Sequence, residues 1–274
     1  MVRGIVAGFG EPLAHEMLAL ASRGIAAIRQ GLMKAPAGDL RPGQLDTYTL
    51  ADVAAIRTIL AEFEAAPCWP LWIVTPETLG FVPNGAQVEL LNEPNLHGWT
   101  PDAYARVLNR ALNEALARGI TIWAGGIANL SAKDLDWLAR VLQLAPRTTH
   151  VAVHRYADPG HDFDKPKRGF KSRTEEMWRL GDVLAGRPYL VSEFGAHMAP
   201  ERLGWWLWKR TVQLTEAGQA AYLRREFAFW GEWGAHAAFV YQLNDDPKLV
   251  GKPLGHYGIR TVDGRWKASA EVFA

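Results

Sequence analysis

Two glutamates stand out because each ends a short apolar run that breaks immediately afterwards. The first run is Val88-Glu89-Leu90-Leu91-Asn92-Glu93-Pro94-Asn95 and the second is Tyr189-Leu190-Val191-Ser192-Glu193-Phe194-Gly195, with 193 − 93 = 100 positions between the two carboxyls. A buried strand that delivers a carboxylate at its C-terminal end is one way an α/β fold presents acid–base groups. If Glu93 and Glu193 face one pocket, they form a pair suited to cleaving an acetal such as a glycosidic bond. One would protonate the leaving oxygen, and the other would attack the anomeric carbon or activate water.

The rest of the chain must bring the pair together. Eight short apolar runs read as strands: Ile5 to Phe9, Ile25 to Arg29, Trp69 to Val74, Val88 to Leu91, Ile120 to Ala124, Thr149 to His154, Tyr189 to Glu193 and Ala237 to Gln242. Gly125-Gly126 is expected to stop the fifth. Helices read between most of them. Glu11-Pro12 opens one that ends near Arg23-Gly24, Thr49 and Ser131 cap two more, and two others cover about Thr174 to Leu184 and Leu214 to Trp230. The clearest starts at Thr100-Pro101-Asp102 and ends at Arg118-Gly119, with Tyr104, Leu108, Ala111, Leu112 and Leu116 expected inward. Between the third and fourth strands, Thr75 to Gln87 holds Pro76, Gly80, Pro83 and Gly85, leaving room for one or two helical turns. Gly255 to Lys267 reads as a hairpin turning at Asp263-Gly264, followed by a short helix around Ala268 to Phe273.

Strands apolar on both faces and alternating with helices belong to a parallel sheet. The expectation is a single (β/α)8 TIM-barrel domain over residues 1–274, with a shortened third helix and a C-terminal hairpin plus short helix. A doubly wound open sheet is the alternative. Its glycine-rich first turn is poorly matched by Gly8-Phe9-Gly10-Glu11-Pro12.

Composition excludes other classes. Lys plus Arg number 30 and Asp plus Glu 29, a balance of 30 − 29 = +1 that offers no basic surface for nucleic acid. No run approaches the roughly 18 apolar residues of a membrane span. The N-terminus is too short in its apolar stretch and too glycine-rich for a signal peptide, so the chain reads as cytoplasmic as it stands, or as secreted and trimmed of its leader. Cys68 is the single cysteine, which rules out an internal disulfide. A monomer is expected. Most of the 12 tryptophans are expected in the core, with some free to stack on sugar rings.

In a barrel, polar residues at strand ends converge on one mouth. Here they are Arg29, Asn92 and Glu93, Asn129, His154 and Tyr156, Glu193, and Gln242 to Asp246. The strand interiors hold almost no charge. His97 and Trp99 follow Glu93 on the same loop as subsite or loop-anchor candidates. His197 and Trp205 follow Glu193, with Trp206 and Trp208 spaced as on a helix. No metal is expected, because the first strand ends in Gly8-Phe9-Gly10 where metal-dependent barrel hydrolases usually place His-x-His. No cofactor is expected either.

Asn92-Glu93-Pro94-Asn95 and Ser192-Glu193-Phe194-Gly195, on the fourth and seventh strands, resemble the motifs of glycoside hydrolase clan A. The closing segment from Tyr257 to Phe273 is similar to that of members related to β-xylosidases and exopolysaccharide hydrolases. The resemblance implies a retaining (β/α)8 barrel with Glu93 as acid/base and Glu193 as nucleophile. It implies that Asn92 bonds the sugar 2-hydroxyl, that Arg29 supports the nucleophile's charge, and that the His154-x-Tyr156 pair lends its tyrosine to the nucleophile. Strand eight reads Phe239-Val240-Tyr241-Gln242 where many members place a tryptophan under the sugar. The expected activity is endo-acting cleavage of a β-linked oligo- or polysaccharide, and the alternative is a carbohydrate-binding barrel without turnover. An acid role for Glu93 calls for a raised carboxyl pKa in the free site.

Overall fold

The computed structural model describes residues 1–9, 16–32, 40–42, 49–64, 66–157, 162–203, 210–249 and 252–274. Eight strands are parallel and close into a barrel. They are β1 (Val2–Phe9), β2 (Ala27–Gly31), β3 (Trp69–Val74), β4 (Gln87–Leu90), β5 (Thr121–Ile127), β6 (His150–Tyr156), β7 (Tyr189–Gly195) and β10 (Ala237–Val240), each paired with its neighbour in chain order and β10 with β1. Two further strands, β8 (Glu201–Leu203) and β9 (Arg210–Val212), form an antiparallel pair after β7. The helices are α1 (Met17–Ser22), α2 (Leu50–Glu64), α3 (Pro101–Arg118), α4 (Ala132–Leu144), α5 (Arg173–Leu184) and α6 (Glu216–Glu232).

Alternation along the strands sorts residues into two cores. Val6, Ala27, Leu71, Trp123, Ala152, Leu190, Ala237 and Phe239 fill the barrel interior. Residues one position away, such as Ile28, Val88, Leu90, Val151, Val153 and Val191, belong to the larger core under the helices. The same parity sends Arg29 and Glu89 inward from β2 and β4.

Two irregularities in that parity shape the site. From Val153↔Val191 to His154↔Glu193, β7 advances two residues while β6 advances one. This bulge turns Glu193 inward although Val191, two residues earlier, packs outward. A matching bulge lies in β5, where Gly125 pairs with Ala152 and Ile127 with Val153. The fifth strand therefore continues through Gly125-Gly126 instead of stopping there, because glycine accepts the positive φ of 106° and 64° that the bulge requires.

The termini of α3 and the start of α4 follow their sequence signals, while the Glu11-Pro12 opening expected for the first helix lies outside the described residues. Thr100 caps α3 by accepting from the Ala103 amide, and Gly119 closes it in the left-handed region. Ser131 and Asp134 form a capping box on α4. Leu116, expected inward, is 79 % exposed, because the buried stripe of α3 runs through Tyr104, Leu108, Ala111 and Ala115 and Leu116 lies about 100° round the helix from it. Between β3 and β4 there is a single 3₁₀ turn, Leu79–Phe81. A cavity of about 630 Å³ lies on that side of the barrel, walled by Leu40, Pro42, Pro76, Glu77, Leu91 and Trp99 and by Ala103, Arg106, Val107 and Arg110 of α3. The C-terminal segment turns back through an Arg260–Trp266 bridge and ends in a 3₁₀ helix, Ala268–Phe273. Among the described residues, no helix is long and apolar enough to cross a membrane.

Candidate active site

Arg29 lies at the centre of the barrel mouth and is fully buried. Its Nη1 donates to Glu193 Oε1. Its Nε donates to Glu89 Oε2 at 3.0 Å, and Nη2 donates to Glu89 Oε1 and to Asn92 Oδ1, both at 2.6 Å. The second oxygen of Glu193 accepts from the Tyr156 hydroxyl. Glu193 is thus held by a cation on one oxygen and a neutral donor on the other. With its Oδ1 on Arg29, Asn92 is left with its amide NH2 as donor.

Glu93 reaches the same point from the turn after β4. Leu91 and Glu93 both have positive φ, 62° and 44°, which is unusual for residues with side chains and aims the carboxylate back over the barrel. His154 Nδ1 is 3.0 Å from Glu93 Oε1 and 3.7 Å from Glu193 Oε2, while its Nε2 is 3.8 Å from Glu89 Oε1. One oxygen of Glu93, one of Glu193 and a ring nitrogen of His154 all lie within 4.8 Å of one another. These three are the group, among the described residues, with donors close enough for a metal ion. Their donors are already engaged with Arg29, Tyr156 and each other, and the Arg29 guanidinium bonded to Glu193 would repel a cation.

The charges set each other. Burial alone would raise the Glu89 carboxyl, but the Arg29 cation and then His154 outweigh it and hold it at about 2. Burial would lower His154, yet the charge of Glu193 and the approach of Glu89 and Glu93 lift it to about 9. For Glu93, burial is outweighed by the hydrogen bond and charge of His154, then by His97 and Arg29, so its carboxyl lies below the usual value. This reverses the expectation of a raised Glu93. The two directions together favour the proton on the imidazole over the Glu93 carboxyl in the free site.

The other sequence candidates divide. His97 is half-buried beside Glu93 and close enough for its charge to act on that carboxyl. The Trp99 indole donates to the Leu40 carbonyl at 2.6 Å and its own carbonyl accepts from Trp137, so it anchors the loop and lines the lateral cavity. His197 is buried, 2.8 Å from Glu201 through Nε2, with its ring against Tyr257. Asn129 is exposed with φ of 71°, a turn position that asparagine tolerates, and is not brought to the carboxylates. Gln242 is half-buried past β10, after a cis peptide from Tyr241, and its carbonyl accepts from Ile259 to hold the closing segment. Trp205, with Trp206 and Trp208, lies outside the described residues; the described residues on either side form the β8–β9 pair.

Sequence reading missed three features. Glu89 is an interior charge where almost none was expected; its signal was a carboxylate at the same inward parity as Arg29. Tyr241 and Tyr257 form an edge-to-face triangle with Tyr156, with ring centroids 5.4–5.7 Å apart, giving an aromatic wall beside Glu193. Asn95 bridges the loop after β4 to the Ala128 backbone and Asp134, steadying Glu93 from behind.

No protein-family profile and no curated protein sequence matches the chain. Solved structures do. An exo-β-1,4-mannosidase from an Opitutaceae bacterium, strain TAV5, superposes with TM-score 0.64 at 16 % identity over 98 % of this chain and 58 % of its own. A family 39 glycoside hydrolase from Bacteroides cellulosilyticus WH2 gives 0.67 at 16 % identity, over 100 % of this chain and 63 % of its own. The fold, a closed (β/α)8 barrel, is one that these glycoside hydrolases share. A broad-specificity endoglucanase from Clostridium acetobutylicum, matched at 0.66 and 11 % identity, covers 100 % of this chain and 96 % of its own, so the barrel extends over both chains nearly end to end. The chain spans less than two thirds of the length of the mannosidase and the family 39 enzyme.

Proposed function

We propose that this barrel is a retaining β-glycoside hydrolase that works by double displacement, with Glu193 as nucleophile and Glu93 as acid/base. The observation that carries the reading is the convergence of the two carboxylates, one oxygen of each within 4.8 Å of the other, with Arg29 and Tyr156 bonded to Glu193 rather than to Glu93. A retaining pair stands roughly 5–5.5 Å apart and an inverting pair about 6.5–9.5 Å, with room for water; an approach this close of single oxygens supports the retaining reading.

In the first step a Glu193 oxygen bonds to the anomeric carbon as the glycosidic C–O bond breaks, and Glu93 gives its proton to the leaving oxygen. Substrate over the mouth excludes water from Glu93, whose side chain is 17 % exposed in the free site. Desolvation then disfavours the anion and draws the shared proton from His154 Nδ1 to Glu93. In the second step water attacks the anomeric carbon, its proton passes to Glu93, and the ester to Glu193 breaks. Asn92, turned by Arg29, offers its NH2 to the 2-hydroxyl.

The substrate class proposed is a β-linked oligo- or polysaccharide, in keeping with neighbours described as a β-1,4-mannosidase and an endoglucanase. Endo action is part of the proposal, and product-length analysis on a polymer tests it. Glu193→Ala should lower kcat by on the order of 10⁴-fold or more, and azide should restore part of the turnover with a glycosyl azide of inverted configuration. A 2-fluoro glycosyl inactivator should add its mass at Glu193. Wild-type turnover in Glu193→Ala ends the assignment, and oligosaccharide affinity with no adduct leaves a binding barrel without turnover.

A further inference from the structure

Glu89 touches no surface and lies one layer below the reacting carboxylates. It sits where the two arms of the site meet. On one side it takes both the Nε and the Nη2 of Arg29, leaving Nη1 for Glu193. On the other it stands 3.8 Å from His154 Nε2, while Nδ1 of the same ring reaches Glu93. The chain of contacts therefore runs Glu193, Arg29, Glu89, His154, Glu93. Gly126 makes room for its centre. A Cβ at that position would collide with Glu89 Oε1 and lie 2.9 Å from His154 Nε2. A glycine held at a bulge, with positive φ, thus leaves the space filled by this carboxylate and this imidazole.

We infer that Glu89 is the positioning residue that couples the two catalytic glutamates: it fixes Arg29 against Glu193 and keeps His154 charged as the holder of the proton that Glu93 uses. The inference rests on the proposed double displacement for the roles of Glu93 and Glu193. The charge count makes Glu89 necessary. Without it Arg29 and an imidazolium would be neighbours, 3.4 Å apart at Nη2 and Nε2, with no carboxylate placed between them. With it, three carboxylates face two cations, and the imidazole gains most by staying charged.

The charged and titratable groups facing the pair act in this balance, Tyr104 of α3 beside Glu89 among them. β2 brings Arg29, β4 brings Glu89, the following loop brings Glu93 and His97, β6 brings Tyr156, β7 brings Glu193 and β10 leads to Tyr241. Removing the negative charge of Glu89 makes the proton on His154 easier to lose, so its titration must move down in pH. Proton loss from the coupled pair forms the basic limb of the activity profile, and that limb must move the same way.

The test is ¹⁵N-histidine NMR on the full chain, with His154 assigned by His154→Gln. In the wild type, His154 is expected to stay charged through pH 8. In Glu89→Gln it should lose its proton at a pH lower by at least about one pH unit, with the basic limb of kcat moving in parallel. Glu89→Asp, which keeps the charge and loses the reach, should shift less than Glu89→Gln while still lowering kcat. A neutral His154 at pH 7 in the wild type, or an unmoved titration in Glu89→Gln, overturns the inference. If Glu89→Gln does not fold, the wild-type titration decides alone. A shifted His154 in a protein that cleaves no glycoside sustains the role of Glu89 and fails the functional reading by itself.

Discussion

Strand β6 carries buried charge on both faces, and the faces differ in kind. His154 and Tyr156 point into the barrel, while Arg155 between them points out to α5 and α6. Outside, Arg155 Nε donates to Glu176 at 2.7 Å and Nη1 stands 3.6 Å from Glu226, which also accepts from Arg173 at 2.6 Å. Two guanidiniums meet two carboxylates, and Arg173 lies over the rings of Phe163 and Phe229 at 4.0 and 3.7 Å. Inside, three carboxylates meet one guanidinium and one imidazole. The outer cluster holds no histidine and clamps the loop after β6 onto the helices. The inner cluster has one group whose charge answers to pH, and the two catalytic candidates are bonded to it or near it. Burial of ion pairs is common to both; a balance that depends on a mobile proton is what separates a working site from a structural one.

The contrast is tested most severely from outside. Glu176→Gln should cost about 3–5 kcal/mol by leaving Arg155 buried with a weakened partner, seen in urea unfolding, while kcat per folded molecule stays at the wild-type level. A matching loss of kcat would mean that the two faces are one unit. From inside, Tyr156→Phe should lower kcat about 10–100-fold, equivalent to roughly 1.4–2.7 kcal/mol, with the melting temperature nearly unchanged. A larger loss of stability than of rate would move Tyr156 to the structural side.

A pH series of melts sharpens the comparison further. The folded value for His154, about 9, lies above its ordinary 6.5. Its contribution is therefore fully present below about pH 6.5 and is lost as pH rises through about 9. The melting temperature should fall across that window in the wild type and less in His154→Gln. Equal falls in both proteins would remove His154 as the cause. The smallest effect is expected at the joint between the faces, where Lys167 Nζ donates to the Tyr156 carbonyl at 2.8 Å. Lys167→Met should cost about 1 kcal/mol and a few-fold in kcat, measured by unfolding and initial rates.

Much of this was legible in the sequence. The eight apolar runs, the nearly absent third helix and the strand ends at Glu93 and Glu193 follow from local pattern, because a strand buried on both faces leaves a continuous signature. Arg29, His154 and Tyr156 were legible as strand-end polar groups. Glu89 was not, because its partner Arg29 lies 60 residues away and only the register of closed strands shows that both point inward. Gly126 looked like punctuation, since a glycine that ends a strand and one that clears space for a neighbour's carboxylate read alike. The β8–β9 pair left no pattern, as strands of three residues are too short to show alternation. The charge state of Glu93 depends on three cationic side chains from different strands and loops, a sum that no local stretch contains.

The bulge in β7 has a consequence for how tightly folding and chemistry are joined. One added residue between Val191 and Phe194 shifts the phase of the strand by half a period, and Glu193 faces the lumen only by virtue of that shift. Draw the strand out flat with Ser192 retained and its regular beat returns: Glu193 rotates out among Val191, Phe227 and the apolar layer beneath α6, and Phe194 swings toward Arg29. Such a chain would have to bury an unpaired carboxylate in order to close its barrel. The direction of Glu193 is therefore guarded by the frame of the strand itself, and a register without the bulge is disfavoured at folding, whatever the residue does afterwards.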